Sequence, residues 1–192
     1  MSCLVLDAMG VIFRSADDVA ELLIPFIAEK SGFTEEEVVQ SAYLEASLGK
    51  ISPDEFWGKV GVPSALEDEF LSRHRLNLGV TELLTEAKRK NISVWCLSND
   101  VGRWSEKIRS NLGVEEFLQG SVISGDVGIR KPDKGIYETL IQSSGYKIEE
   151  ILFIDDREKN VNAARDLGIE TIMFKPETGF AEANNWISRR AL

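Results

Sequence analysis

The sequence contains few of the residues that hold transition metals or form disulfides. Its 192 residues include one histidine, His74, and two cysteines, Cys3 and Cys96. A single histidine excludes a histidine-based metal cluster and a Ser-His-Asp triad, and we expect a packing or surface role for it. Both cysteines fall in short apolar runs, so we interpret them as buried hydrophobic residues of a reducing compartment rather than as a disulfide.

The chain also lacks long apolar runs and an excess of positive charge. No run approaches the roughly 20 apolar residues of a membrane-spanning helix, and the first residues have a strand pattern, so we expect a cytoplasmic protein without a membrane partner. The formal net charge of −10 argues against nucleic acid as a main partner. A small anionic substrate remains compatible with this charge if a metal ion supplies local positive charge.

Short apolar runs alternate with helical patterns along most of the chain. The apolar runs cover residues 3–7, 92–98, 121–124, 151–155 and 170–174. The helical patterns between them cover residues 81–90, 102–112, 133–144 and 158–167. Because unbroken apolar runs are typical of strands buried on both faces of a parallel sheet, this alternation predicts a doubly wound α/β fold.

Residues 14–80 differ from the rest because they show helical spacing and no strand pattern. Thr34 and Glu37 have the spacing of a capping box before a second helix. A third helix is predicted over residues 53–60 and a fourth over 64–76. The sequence therefore predicts a small all-helical insertion after the first strand, within a core of residues 1–13 and 81–192.

Polar side chains follow three of the predicted strands. Asp7 ends the first strand, Ser98 and Asn99 end the second, and Asp155 with Asp156 ends a later one. Ligands of doubly wound sheets bind outside the carboxyl ends of the strands, so we expect these side chains to share one site. Adjacent carboxylates repel each other unless a cation joins them, and Mg²⁺ prefers such oxygen ligands together with a substrate phosphate.

Two further residues suit an anion-binding site near Asp7. Gly10 allows a turn that brings backbone N–H groups close to an anion. Lys131 precedes Pro132, which favours an extended lysine backbone, and its ammonium could balance the carboxylates and hold a phosphate oxygen. Taken singly, Asp7 could cap a turn and Lys131 could be a surface lysine. As a set they favour a carboxylate that accepts a phosphoryl group.

Four segments carry a resemblance to a known family: CLVLDAMGVIF (3–13), VWCLSND (94–100), GIRKPDKGIYE (128–138) and ILFIDDREKNV (151–161). In this order they resemble the motifs of the haloacid dehalogenase-like (HAD) hydrolases, from about Leu4 to Phe174. The strings GKISPDEFW and FIDDREKNV are similar to the small phosphatases of that family. The resemblance implies a Rossmann-like core, a helical cap domain over residues 14–80 and dependence on Mg²⁺.

The resemblance also implies a role for each candidate residue. It implies that Asp7 attacks phosphorus and that Ser98, Asn99 and Lys131 bind the phosphate. The implied metal ligands are Asp7, the main-chain carbonyl of Met9, Asp155 and Asp156. We expect the substrate to be a small phosphorylated metabolite and the protein to be a monomer or a homodimer.

Met9 departs from the family pattern, in which most members have an aspartate two residues after the nucleophile. That aspartate protonates the leaving group and then activates water, and such help is worth about 10²–10⁴ in rate. Since a thioether can do neither, a phosphatase here should be impaired or should use another base. The alternatives are an inactive phosphate- and metal-binding regulatory protein and a dehalogenase or phosphonatase-type hydrolase, with Lys50 as a candidate Schiff-base lysine. Asp155 and Asp156 argue against dehalogenation, because they would repel a carboxylate substrate.

Overall fold

The computed structural model of the protein describes residues 2–190, and its centre is one parallel sheet of five strands. The strands are β1 Cys3–Leu6, β2 Ser93–Ser98, β3 Gly120–Ile123, β4 Ile151–Asp155 and β5 Glu170–Met173. Their order in the sheet is β3-β2-β1-β4-β5. All four residues of β1 are fully buried, as the unbroken apolar run predicted. The predicted doubly wound α/β fold is therefore confirmed.

Helices cover both faces of the sheet. The helices that follow residue 79 are α5 Val80–Arg89, α6 Gly102–Asn111, α7 Ser124–Val127, α8 Lys134–Ser144, α9 Glu158–Asp166 and α10 Ala181–Arg190. Leu4 and Leu6 of β1 pack in the larger apolar cluster, which includes α5, α6 and α10. Cys3 and Val5 point to the opposite face and pack in a second cluster, which includes α8 and α9. None of the helices in residues 2–190 has the length and apolar character needed to cross a membrane.

Both cysteines lie in the sheet. Cys3 in β1 and Cys96 in β2 are fully buried and unpaired, as predicted. Burial raises the pKa of the Cys3 thiol to about 12 and that of Cys96 to about 11. Because the thiolate is the reactive form, both residues behave as small hydrophobic side chains.

The chain between β1 and β2 is helical throughout its described elements. After a π-helical turn, Val19–Leu23, come α1 Ile24–Ser31, α2 Glu36–Ala46, α3 Pro53–Lys59 and α4 Glu67–Leu71, with a short 3₁₀ turn before α4. The predicted fourth helix is wrong at its end, because it stops at Leu71 instead of residue 76. The backbone there pairs with the core instead: Arg14 donates to the carbonyl of Arg75, and Asn77 donates to that of Ile12.

The predicted capping box of Thr34 and Glu37 is also wrong. Helix α2 has Glu35 at its N-cap, and no side chain caps it. The capping box of the insertion lies at α3, where Ser52 and Glu55 bond each other's backbone N–H groups. Pro53 follows Ser52 at the first helical position, where its fixed φ favours the helix start.

One buried carboxylate joins the insertion to the core. Glu67 in α4 accepts hydrogen bonds from the indoles of Trp57, at 3.1 Å, and Trp104, at 2.7 Å. It also accepts from Arg103 at 2.6 Å and Lys107 at 2.9 Å, both in α6. Burial acts to raise the pKa of Glu67, but these hydrogen bonds outweigh it and the pKa is lowered. Glu67 therefore remains a charged anchor between the two parts of the chain.

Candidate active site

Asp7 lies immediately after β1 and continues the hydrogen-bond ladder of the sheet. Its backbone N–H donates to the carbonyl of Ile154 in β4 at 2.9 Å. Its carboxylate oxygen Oδ1 accepts from the N–H of Ala8 and from Nζ of Lys131, each at 2.7 Å. Within residues 2–190 no hydrogen bond reaches the other oxygen, Oδ2. Asp7 is thus held through one oxygen while the second is available to a ligand.

Three carboxylates and one ammonium form the centre of the site. Asp7, Asp155 and Asp156 each place one oxygen within 4.8 Å of the others. Nζ of Lys131 joins Oδ1 of Asp7 to Oδ2 of Asp155, at 2.8 Å, and donates to the carbonyl of Leu97 at 2.7 Å. The structure thus brings together the four charged residues that the sequence placed in one site, and their roles stay predictions.

Asp155 is also held by hydrogen bonds from residues that follow β4 in the chain. The Asn160 side-chain amide donates to both of its oxygens at 3.0 Å, and the N–H of Arg157 donates to Oδ1 at 2.8 Å. Asn160 lies in the first turns of α9, so the helix after β4 orients the carboxylate at the end of that strand. This arrangement leaves little freedom for Asp155 to rotate.

The negative charge of this centre exceeds the positive charge. Burial, followed by repulsion from Asp155, raises the pKa of Asp7 well above its ordinary range, although Lys131 opposes the shift. Burial and Asp155 likewise raise the pKa of Asp156. Burial acts to lower the pKa of Lys131, but Asp155 and Asp7 outweigh it and raise that pKa, so the ammonium remains charged. A further cation would offset the remaining repulsion.

The unsatisfied oxygens of the site fit Mg²⁺. Oδ1 of Asp156 is buried and has no hydrogen-bond partner in the described part of the chain. The main-chain carbonyl of Met9 likewise receives no hydrogen bond from residues 2–190. Mg²⁺ is bound by hard oxygen ligands of this kind, from one or two carboxylates together with a substrate phosphate.

Ser98 and Asn99 lie at the end of β2, on the other side of Asp7. The Ser98 hydroxyl is buried but has no hydrogen-bond partner among the described residues, so it is free to bind a ligand. The side-chain amide of Asn99 instead bonds both backbone groups of Lys131, accepting from the N–H at 2.7 Å and donating to the carbonyl at 2.9 Å. Asn99 therefore positions Lys131, and its contact with a substrate stays a prediction.

Most of these residues line one cavity of about 350 Å³, although Asp155 and Asp156 are not among its lining residues. The core contributes Asp7, Met9, Ser98, Asn99, Arg130, Lys131, Arg157, Lys159 and Asn160, and the insertion contributes Ala16–Val19, Gln40, Tyr43 and Leu44. Lys50 does not line it, which removes support for a Schiff-base lysine at that position. The sequence patterns did not identify the contributions of the insertion, because helical spacing shows which face is buried and not which residues reach the sheet edge.

The comparisons with known proteins agree with this geometry. The chain is 28% identical over 129 residues to the sesquiterpene phosphatase astK of Aspergillus oryzae, covering 63% of this chain and 66% of that protein, just under two thirds of its length. It is 28% identical over 150 residues to the D-ribitol-5-phosphate phosphatase of Bacteroides thetaiotaomicron, covering 71% and 72%.

A solved structure extends the likeness to the whole fold. It is a HAD family enzyme of Bacteroides thetaiotaomicron in complex with magnesium and inorganic phosphate, with a TM-score of 0.80, 23% identity and coverage of 95% of this chain and 98% of that one.

The class of protein follows from a family model. Residues 1–168 match the model of a hydrolase family, so the fold and the carboxylate site belong to a hydrolase. The family is described as haloacid dehalogenase-like hydrolase, and the chain belongs to it.

Proposed function

We propose that the protein is a Mg²⁺-dependent phosphatase that hydrolyses a small phosphorylated metabolite through a phosphoryl group carried on Asp7. The observation that carries the proposal is the state of Oδ2 of Asp7. It is the one oxygen of this buried carboxylate to which residues 2–190 donate no hydrogen bond, while Oδ1 is fixed by Lys131 and Ala8. A carboxylate held in this way is suited to attack phosphorus.

The reaction has two displacements at phosphorus. Oδ2 of Asp7 attacks, and the bond from phosphorus to the leaving oxygen of the substrate breaks. Water then attacks the phosphoryl group on Asp7, which releases inorganic phosphate and restores the carboxylate. Throughout both steps the free hydroxyl of Ser98 donates a hydrogen bond to a phosphate oxygen, and the ammonium of Lys131, whose hydrogens bond Asp7, Asp155 and Leu97, attracts the phosphate as a point charge.

A metal ion fits the remaining polar groups. Asp7, Asp155, Asp156 and the carbonyl of Met9 would bind Mg²⁺, whose charge offsets the charge that gathers on the transferring phosphoryl group. The acidic cluster also makes dehalogenation a poor fit, because next to Asp7 a haloacid carboxylate would meet three carboxylates that are paired with one lysine, Lys131.

The two parts of the chain have different tasks in this proposal. Residues 1–13 and 81–192 form the core that carries the chemistry, and residues 14–80 form a cap that closes the cavity and selects the substrate. A cavity of about 350 Å³ suits a small metabolite. Arg130, Arg157 and Lys159 add positive charge to its walls, which favours an anionic substrate in a chain of net charge −10.

The relatives support the same class of reaction. The sesquiterpene phosphatase and the D-ribitol-5-phosphate phosphatase are named for removing phosphate from small molecules. The HAD family enzyme of similar fold was crystallised with magnesium and inorganic phosphate. These names do not extend to the substrate of this chain, because its cap residues are its own.

Met9 favours one other function, a regulatory protein that binds phosphate and metal without turnover. The thioether occupies the cavity wall two residues after Asp7, where it cannot transfer protons. In that case a phosphorylated ligand with Mg²⁺ would raise the melting temperature, but no phosphate would be released. Turnover therefore separates the two functions.

The test is phosphate release from nitrophenyl phosphate, with and without Mg²⁺. Its leaving group needs little protonation, so the assay reports on Asp7 and the metal even with Met9 present. We expect Mg²⁺-dependent release that is lost in Asp7→Asn and retained in Asp166→Asn, the same change at an exposed site in α9. Equal release by wild type and Asp7→Asn would overturn the proposal, and absence of release with Mg²⁺-linked ligand binding would favour the regulatory protein.

A further inference from the structure

A second carboxyl group of the cavity has no part in the chemistry described so far. Asp18 lies at the start of the insertion, directly before the π-helical turn Val19–Leu23, and lines the same cavity as Asp7 and Met9. It is only 6% exposed, and in the described part of the chain no hydrogen bond reaches its carboxylate. A buried carboxyl group without hydrogen bonds is costly, so the position needs an explanation beyond packing.

The side chain that faces Asp18 is the buried ring of His74. Nε2 of His74 lies 3.8 Å from Oδ2 of Asp18. Nδ1 lies 3.1 Å from the carbonyl oxygen of Leu71, and since a carbonyl only accepts, Nδ1 carries a hydrogen in that bond. In the neutral ring Nε2 then presents a lone pair to Asp18, and it has no other partner among residues 2–190. The carboxylate of Asp18 therefore receives no hydrogen bond from the neutral ring that faces it.

Further ionisable groups surround the pair. Burial, followed by repulsion from Asp18, raises the pKa of Asp100 to about 7. The Tyr43 hydroxyl lies 3.4 Å from Oδ1 of Asp100, and the guanidinium carbon of Arg130 lies 5.9 Å from the Tyr43 ring. Oδ2 of Asp100 is buried without a hydrogen-bond partner in the described chain. The repulsion from Asp18 indicates that the two buried carboxyl groups lie close to each other.

Other groups of the cavity are less suited to move a proton in both directions. Asp17 is exposed, and its Oδ1 accepts from the N–H of Ala20 at 3.1 Å, so it caps the start of the helical turn. Burial raises the pKa of Tyr43 well above its ordinary range, so its hydroxyl stays protonated, is a weak acid and cannot take a proton from water. Asp7 is occupied as the nucleophile. Asp18 remains as a carboxyl group that is buried, unbonded and open to the cavity.

We propose that Asp18 performs the two proton transfers for which Met9 has no functional group. The proposal rests on the phosphatase function above. In the first step the protonated carboxyl group gives its proton to the leaving oxygen as the bond to phosphorus breaks, and Asp18 becomes a carboxylate. In the second step this carboxylate takes a proton from the water that attacks the phosphoryl group on Asp7. Phosphate leaves, and both aspartates return to their starting state.

The test compares Asp18→Asn with wild type on aryl phosphates whose leaving groups differ in basicity. A poor leaving group such as phenol needs the proton, whereas dinitrophenol does not. We expect Asp18→Asn to slow the first step, release of the leaving group, by about 10²–10⁴ with phenyl phosphate and less than about tenfold with dinitrophenyl phosphate. Because the second step also loses its base, dinitrophenol should appear in a burst of one equivalent per enzyme as the phosphorylated protein accumulates.

Two further variants separate proton transfer from loss of charge or of structure. Asp17→Asn removes the same charge from the same cavity wall, and we expect the same leaving-group dependence as in wild type. Met9→Asp places an acid at the family position, so it should restore phenyl phosphate cleavage in the Asp18→Asn protein. If Asp18 had only a structural role, Asp18→Asn would lower the cleavage rates of all substrates equally, without a burst and without this rescue. That result would overturn the inference.

The same set distinguishes this inference from the proposed function. If wild type releases no phosphate but Met9→Asp does, the phosphatase site stands and Asp18 is not its acid and base. If neither protein releases phosphate, the proposed function itself fails and the inference falls with it.

Discussion

The ammonium of Lys131 lies 2.7 Å from Oδ1 of Asp7, although the two residues are 124 positions apart in the chain. The same ammonium lies 2.8 Å from Oδ2 of Asp155, so one charge links the ends of β1 and β4. Removing one partner of a buried ion pair leaves uncompensated charge and costs about 3–5 kcal/mol. Lys131 therefore has a structural task in addition to holding phosphate.

Replacing Lys131 with methionine should lower the free energy of unfolding by about 3–5 kcal/mol in the absence of metal. The remaining carboxylates repel one another, so Mg²⁺ should recover part of this loss, and phosphate release should vanish. Urea unfolding with and without Mg²⁺ measures both effects. Lys134→Met changes an exposed lysine of α8 and is the control. Equal stability of the two variants would contradict a buried charge pair.

Gly10 has a left-handed backbone conformation, with φ of +80°. It lies close to the side chain of Asp156. A Cβ at this position would lie 2.4 Å from Oδ2 of Asp156, so Gly10→Ala should displace that carboxylate and reduce the melting-temperature rise caused by Mg²⁺. Gly32→Ala introduces a similar backbone strain at φ of +70°, but a Cβ there meets nothing within 4 Å. The control should lose only about 1–2 kcal/mol of stability, and an unchanged Mg²⁺ response in both would refute the clash.

Glu67 and Asp68 are neighbours that both accept from Lys107, yet their surroundings differ. The Glu67 side chain is 4% exposed and that of Asp68 is 74% exposed. Glu67→Gln should cost about 2–4 kcal/mol, because it removes the charge shared by two indoles, an arginine and a lysine. Asp68→Asn should cost less than about 0.5 kcal/mol. Unfolding followed by the fluorescence of the two indoles, Trp57 and Trp104, gives both values, and similar losses would contradict the anchor.

Asp100 predicts a dependence of stability on pH. Its pKa is about 7 in the folded protein, against the ordinary 3.8, so between these values the folded state binds the extra proton. The contribution of this group to stability therefore falls as pH rises through that window and is level above it. Relative to Asp100→Asn, wild type should lose roughly 1–4 kcal/mol between about pH 4 and about pH 7. Parallel stability curves for the two proteins would contradict the shift.

The sequence predicted the sheet and the charged centre well, because each depends on a local signal. Three of the five strands, β1, β2 and β4, are short runs of mainly apolar residues, and the centre of the site lies at strand ends, which a doubly wound sheet brings together. The predicted capping box was wrong, because Thr34-Glu37 and Ser52-Glu55 have the same spacing and only the second forms. Pro53 is the local difference between them.

Asp18 could not be identified from the sequence. Its surroundings come from His74 at the far end of the insertion and from Asp100 after β2, so no local pattern distinguishes it from the exposed Asp17 beside it. The same limit applied to Asn99, whose turn-like sequence gave no sign that its amide would hold the backbone of Lys131. In both cases the role of the residue depends on contacts between segments that are distant in the sequence.

The insertion leaves β1 only a few residues beyond the nucleophile, so a single stretch of chain connects Asp7 to Asp18 and to the walls that face the substrate. A recombination that exchanged residues 14–79 between relatives would carry over two properties at once. The hybrid would acquire a different substrate specificity and, with it, a different residue at the position of the proposed general acid and base. Substrate preference and the ability to cleave substrates with poor leaving groups would therefore be transferred together with the insertion.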